Sequence, residues 1–219
     1  MIKNNLDSLI DLKSKHQQIF VALSMGVDSL AAFFYLQKLG YNVTALHFNH
    51  KLRKQNDLME KKVKDLNIKH YIGYGKNLKS EKSCRDARLK FFNEVAQNSI
   101  VITGHHLDDY VESYLLNCFR GHADYRPIKL VSDFNTFKIV HPFLLTEKKD
   151  FINFVNRWKG GYLKDFVTED ETNSQIKGSR RNWIRTEILP SMQRQKVSLK
   201  KHCISLIAKD LKELNYNKL

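Results

Sequence analysis

The sequence predicts an α/β protein built on a doubly wound parallel sheet with helices on both faces. Short apolar runs rich in β-formers alternate with longer helix-patterned segments along the first two thirds of the chain. Glycine or proline closes several of these segments. With 219 residues, 42% of them hydrophobic and only three prolines, the chain can bury one sizeable core, or a core with a small appendage, but not two full domains.

The elements follow in order. Ile19–Leu23 reads as a strand, followed by a glycine-containing turn and a largely buried helix over Leu30–Lys38 that ends at Gly40. Val43–Phe48 repeats the strand signal, Asp57–Leu66 is a charged amphipathic helix, and His70–Ile72 begins a short strand. Ser83–Val95 reads as helix, Ile100–Thr103 as strand, Leu107–Phe119 as helix stopped by Gly121, and Phe137–Val140 as a last strand before Pro142. Glu147–Trp158 is a further helix, with Gly160-Gly161 a break after it. Ser198–Leu214 has helical spacing at Ile204, Ile207, Leu211 and Leu214, and reads as a helix packed on the core or as the stump of a second domain. If the sheet has flavodoxin-like order with strands one and four adjacent, ligands bind beyond their carboxyl ends. The loops there are Ser24–Ser29 and Gly104–Asp109.

Composition narrows the function. The longest apolar run, Leu30–Leu36, has seven residues, far short of a membrane span, and Met1–Leu12 has no signal-peptide core, so a cytoplasmic protein is expected. The net charge of +14 favours a polyanionic partner, and half of that surplus falls in residues 174–201. Coding bias toward lysine and asparagine is the plainer explanation. Three cysteines, Cys84, Cys118 and Cys203, fit a reducing compartment and are too few for a four-thiolate zinc or iron–sulfur site.

Ser24, Met25, Gly26, Val27, Asp28 and Ser29 lie between a strand and a helix start, where unpaired N–H groups and the helix dipole hold phosphate. The Walker and dinucleotide glycine fingerprints are absent. Asp28 beside a polyphosphate reads as a Mg²⁺ contact, or Asp28 and Ser29 simply cap the helix. Asp109 and Glu112, at i and i+3, place two carboxylates on one helical face, suited to an ammonium group or a metal; a solvated acidic helix start looks the same. His105 and His106 are adjacent and diverge, which disfavours a structural zinc site. The block His47, Asn49, His50 and Arg53 falls on the same rim, to contact a base or ribose or to turn the chain. Asp170, Thr172, Asn173, Arg181, Asn182 and Arg185 offer acceptors and guanidinium forks for phosphate or transition-state charge, or for surface salt bridges.

In their order along the chain, Ser24–Ser29, His47–Arg53, Arg85 with Arg88, Gly104–Ser113, and Asn173 followed by Arg181-Asn182-Trp183-Ile184-Arg185 to Pro190 resemble the bacterial tRNA(Ile)-lysidine synthetase family, from about Ile19 to Met192. That family lies among the N-type PP-loop ATPases, with their adenine nucleotide α-hydrolase-like fold and a Ser-Gly-Gly-x-Asp-Ser loop. The resemblance implies that ATP adenylates the wobble cytidine of an isoleucine tRNA with a CAU anticodon. Free lysine then displaces AMP to form lysidine. It implies further that Ser24–Ser29 grip the phosphates and Mg²⁺, with Asp28 as the metal contact. Asp109 and Glu112 would hold and deprotonate the lysine ammonium, and Arg185, with Arg181 and Asn182, would stabilise developing charge. His47, Asn49, His50, Arg53, Arg85, Arg88, His105, His106 and Asn173 would meet the anticodon loop, a single-stranded target of the usual kind.

Two departures stand out. Met25 replaces the first glycine of the family loop, a position where backbone freedom or close approach is at a premium. Residues 1–192 correspond to the family's catalytic domain, and 193–219 form a basic helical tail in place of its C-terminal domains. The rival readings are a PP-loop enzyme that adenylates another tRNA base, such as a thiolation relative, and an inactive RNA-binding protein.

Overall fold

Strand β1 (Gln18–Ala22) explains the layering. Its Ile19 and Val21 point into one core and Phe20 into another, because successive strand side chains alternate between faces. The same alternation runs through β2 (Asn42–Asn49) and β4 (Ser99–Ile102): Val43, Ala45, Ile100 and Ile102 join the larger core, while Leu46, Phe48 and Val101 join the smaller. Every residue of β2 after Asn42 is buried, as a strand covered on both faces requires. In the computed structural model, which describes residues 1–10, 12, 14–122, 126–168 and 180–216, β3 (His70–Tyr74) and β6 (Phe137–Val140) extend this parallel sheet on its two sides. The strand order is β3-β2-β1-β4-β6-β5.

Strands one and four are therefore neighbours, as expected, and the crevice opens between them. The order itself is the 3-2-1-4 order of dinucleotide-type sheets, which corrects the flavodoxin-like expectation. Phe137–Val140 also does not end the sheet alone. β5 (Val131–Asp133), too short to carry a periodic signal, pairs with it antiparallel through a turn at Asn135, whose φ is 65°.

The larger core is covered by α2 (Val27–Lys38), α5 (Leu107–Cys118), α6 (Lys148–Arg157) and α9 (Lys200–Tyr216), and the smaller by α4 (Glu81–Val95). The amphipathic α3 (Lys54–Asp65) starts one turn before the predicted helix. A short α1 (Leu6–Leu9) buries Leu6 and Leu9 without a prior sequence signal. Gly160 and Gly161 adopt φ of 73° and 99°, which ends α6 and lets the chain turn into a 3-10 segment, Trp158–Phe166. Helix α9 packs on α5 and α1, burying Cys203 and Ile207 completely.

The arginine-rich stretch is helical: α7 (Arg180–Trp183), a π-helical turn (Ile184–Ile188) and α8 (Leu189–Arg194) run end to end. Pro190 lacks the N–H that would bond four residues back, and a wide turn just before it is one way a helix carries proline onward. No helix among the described residues is long and apolar enough to cross a membrane.

Candidate active site at the β1–β4 crevice

The first loop is held by hydroxyls. Ser29 Oγ accepts from the Ser24 N–H at 3.2 Å, lies 3.2 Å from Ser24 Oγ, and donates to the Gly26 carbonyl at 3.0 Å. Gly26 has an ordinary φ of −74°, and a Cβ there would meet only Ser24 Oγ, at 3.5 Å. Nothing inside the protein demands glycine at this position, so its bare face is a cradle open to a ligand. The loop precedes α2, whose first-turn N–H groups are left over by helix geometry.

Met25 takes the left-handed conformation, φ 65°, while its side chain is fully buried in the larger core. Its carbonyl accepts from the Thr168 N–H at 2.9 Å. Left-handed backbone costs a non-glycine residue about 1–2 kcal/mol. Burial of a methionine side chain contributes about 1.5–3 kcal/mol and offsets it. The departure from the family loop is thus an apolar anchor beneath a strained turn.

The second loop packs directly on the first. A Cβ on Gly104 would lie 2.7 Å from the Asp28 carbonyl oxygen, so only glycine fits between them. His106, 1% exposed, caps α5 reciprocally with Asp109: its Nδ1 accepts from the Asp109 N–H at 3.3 Å, and the Asp109 carboxylate accepts from the His106 N–H at 3.1 Å. Its Nε2 faces Asp28 Oδ1 at 3.4 Å, an ion-pair distance without hydrogen-bond geometry, so Asp28 Oδ1 is a buried oxygen lacking a hydrogen bond. Burial pulls the His106 pKa down, but the contact with Asp28 and the charges of Asp109, Asp28 and Asp108 outweigh it, and the net shift is upward. Burial likewise works to raise the Asp109 pKa, yet His106, His105 and Arg181 hold it below the usual carboxylate range.

Glu112, with a side chain 4% exposed, is clamped by two arginines. Arg185 donates from Nε at 2.7 Å and from Nη2 at 2.8 Å, one bond to each carboxylate oxygen, and Arg181 Nε adds a third at 3.1 Å. Arg181 Nη2 also reaches Asp109 Oδ1 at 3.4 Å and Ser113 Oγ at 3.2 Å. Contacts thus run without a gap from Asp28 through His106, Asp109, Arg181 and Glu112 to Arg185. Asp108 turns away and accepts from the Lys148 N–H at 2.7 Å and pairs with Lys200 at 3.0 Å, fastening α6 and α9 to this loop.

The other expected contacts divide. His47 and Asn49, expected on the rim, face inward at 3% and 0% exposure, because β2 is covered on both sides. His47 Nδ1–H donates to the Leu23 carbonyl at 2.8 Å, next to the phosphate loop, and burial lowers its pKa. Asn49 donates to Asp57 at 3.0 Å and Glu60 at 2.7 Å. His50 is half-buried against Phe48, its pKa lowered by burial first and then by Arg88 and His47. Arg53, Arg85 and Arg88 are exposed. His105 meets Thr103 Oγ1 at 2.7 Å and stacks edge-on against His141. Asn182 is buried. Asn173, with Asp170 and Thr172, lies outside the described residues. Sequence reading missed His141, Thr168 and the steric role of Gly104, of which only His141, at a strand's carboxyl end, was signalled by position; Lys200, counted there in the basic stretch 174–201, pairs instead with Asp108 and Glu147.

A serine- and glycine-lined loop at the switch point of a doubly wound sheet, opposite an acidic helix start, defines a phosphate-loop α/β domain. The chain belongs to the PP-loop domain family, whose family model matches residues 1–192. It is similar to the tRNA(Ile)-lysidine synthase of Streptococcus equi subsp. zooepidemicus (strain H70), 30% identical over 206 residues, covering 88% of this chain and 45% of the relative. It is similar also to that of Streptococcus mutans serotype c, 30% over 204 residues (87% and 45%), and of Streptococcus pyogenes serotype M1, 32% over 193 residues (82% and 42%). The chain thus spans less than half the length of these curated relatives.

Proposed function

We propose that the protein uses ATP to join lysine to the wobble cytidine of an isoleucine tRNA with a CAU anticodon, by way of an adenylated base, with release of AMP and pyrophosphate. The observation that carries this reading is the unbroken line of contacts from the phosphate loop, through His106 and Asp109, to the Glu112–Arg181–Arg185 clamp. It links the loop suited to an anion with the carboxylate of Asp109, the one suited to an ammonium group, within one connected site.

A buried Asp28 oxygen without a hydrogen bond, a bare Gly26 face and a helix start lie within one short loop, which supports nucleotide and Mg²⁺ as its ligands. Ser24, Gly26, Asp28 and Ser29 would hold them. A bound Mg²⁺ screens phosphate charge and makes the pyrophosphate a better leaving group. His106 keeps Asp28 oriented and ties its loop to α5. Asp109 receives the lysine ammonium and takes its proton as the amine becomes nucleophilic. Glu112 has both oxygens occupied by guanidinium groups, so it positions Arg181 and Arg185, whose charge stabilises the activated base.

The test is incorporation of labelled lysine into CAU-bearing isoleucine tRNA. Incorporation that requires both ATP and Mg²⁺, and is lost in Asp28→Ala and Asp109→Asn, supports the reading. ATP consumption indifferent to lysine would assign the chain to an enzyme adenylating another base, and RNA binding without turnover to an inactive relative.

A further inference from the structure

Phe119 and Trp183 are 54% and 43% exposed, yet their rings contact one another, with centroids 5.6 Å apart and planes tilted by 42°. Phe119 closes α5 and Trp183 ends α7, so two separate elements have been brought together to present one aromatic surface to solvent. Neither ring is needed by the crevice chemistry. A single exposed ring is ordinary, but two rings in contact present a contiguous apolar face, the kind of surface that takes a partner.

We propose that this pair is a stacking platform for a nucleobase of single-stranded RNA, placed beside the catalytic crevice. The inference rests on the RNA-modifying function proposed above and names a contact that function does not assign. Position and charge choose the occupant. Phe119 lies seven residues beyond Glu112 on α5, hence on the same face and about 10 Å further along the axis, a distance that a single-stranded loop spans in a few nucleotides. Trp183 sits between Arg181 and Arg185 in sequence, the two arginines that clamp Glu112. Residues 180–194 carry four arginines against one carboxylate, Glu187; Arg120 follows Phe119 in sequence, Arg180 lies three residues before Trp183, and both are exposed. Arginines follow the phosphate backbone while an aromatic face takes the base, the combination by which proteins hold single strands.

The test uses a synthetic anticodon stem–loop RNA carrying CAU and the full chain. Binding is expected to quench tryptophan fluorescence in the wild type. Trp183→Phe should bind with near wild-type affinity and lose the quench, while Trp183→Ala and Phe119→Ala each weaken binding about tenfold without changing the melting temperature. Unaltered affinity in both alanine variants would overturn the platform. So would a concentration-dependent self-association that Trp183→Ala abolishes while RNA affinity stays the same. The two readings fail separately. Quenching with no lysine incorporation sinks the catalytic assignment alone, and full incorporation with both alanine variants indistinguishable from wild type sinks the platform alone.

Discussion

The carboxyl end of β2 and the helix running from Arg180 to Arg194 both read in sequence as RNA-facing, rich in histidine, asparagine and arginine. They turn out to differ in kind. At β2, His47 and Asn49 spend their polar atoms inward, on the Leu23 carbonyl and on Asp57 and Glu60. Along the arginine helix, polar groups cross between elements to reach Asp109 and Glu112, and an indole stands in solvent beside them. A strand covered on both faces leaves its side chains no route to solvent except past its end, whereas a surface helix shows one flank to the crevice and another to solvent. Polar composition at a rim therefore indicates function only once the covering of the underlying element is known.

The contrast is most severely tested at Glu112. Glu112→Gln leaves two guanidinium groups competing for a neutral partner in a half-buried site, and should cost about 3 kcal/mol, read from the urea midpoint, together with nearly all lysine incorporation. An unchanged midpoint would mean the clamp is ornamental. Next comes Asn49→Leu, expected to cost about 2 kcal/mol through the carboxylates it leaves short of donors, with RNA affinity of the folded fraction unaltered; a selective loss of affinity would return this strand end to the binding surface. Met25→Gly should destabilise by about 1 kcal/mol, since lost burial exceeds relieved backbone strain, and should bring no gain in turnover. The smallest effect is titrimetric. Burial, and then His105, lowers His141 from 6.5 to about 3. Its contribution to stability is therefore complete above the ordinary histidine value and declines as pH falls below it. His141→Phe should flatten the acid limb of a stability–pH curve, a change of about 0.8 kcal/mol at pH 6.

Much of the fold was legible because periodicity and punctuation are local. The β1, β2 and β4 strands, α2, α5 and the break at Gly160-Gly161 follow from residues that are near one another in sequence, and the switch point follows from their order. What escaped depends on partners far away. β5 is three residues long and exists because β6 offers it an edge. The helical path through Pro190 hides behind a residue that ordinarily ends helices. In the site, the loop motif and the i, i+3 carboxylates were visible in outline, but not that Glu112 is saturated by Arg181 and Arg185, nor that Gly104 leaves room for the Asp28 carbonyl. Such facts belong to tertiary juxtaposition, which no window of sequence contains.

The hydrogen bond from the Thr168 N–H to the Met25 carbonyl has a bearing on biosynthesis. The Met25 turn is translated early, yet the group that satisfies its strained carbonyl emerges more than a hundred residues later. A nascent chain that has emerged only as far as β6 would own all six strands of the sheet and still lack the partner of that carbonyl. The Met25 turn would be completed late, when the peptide following α6 docks.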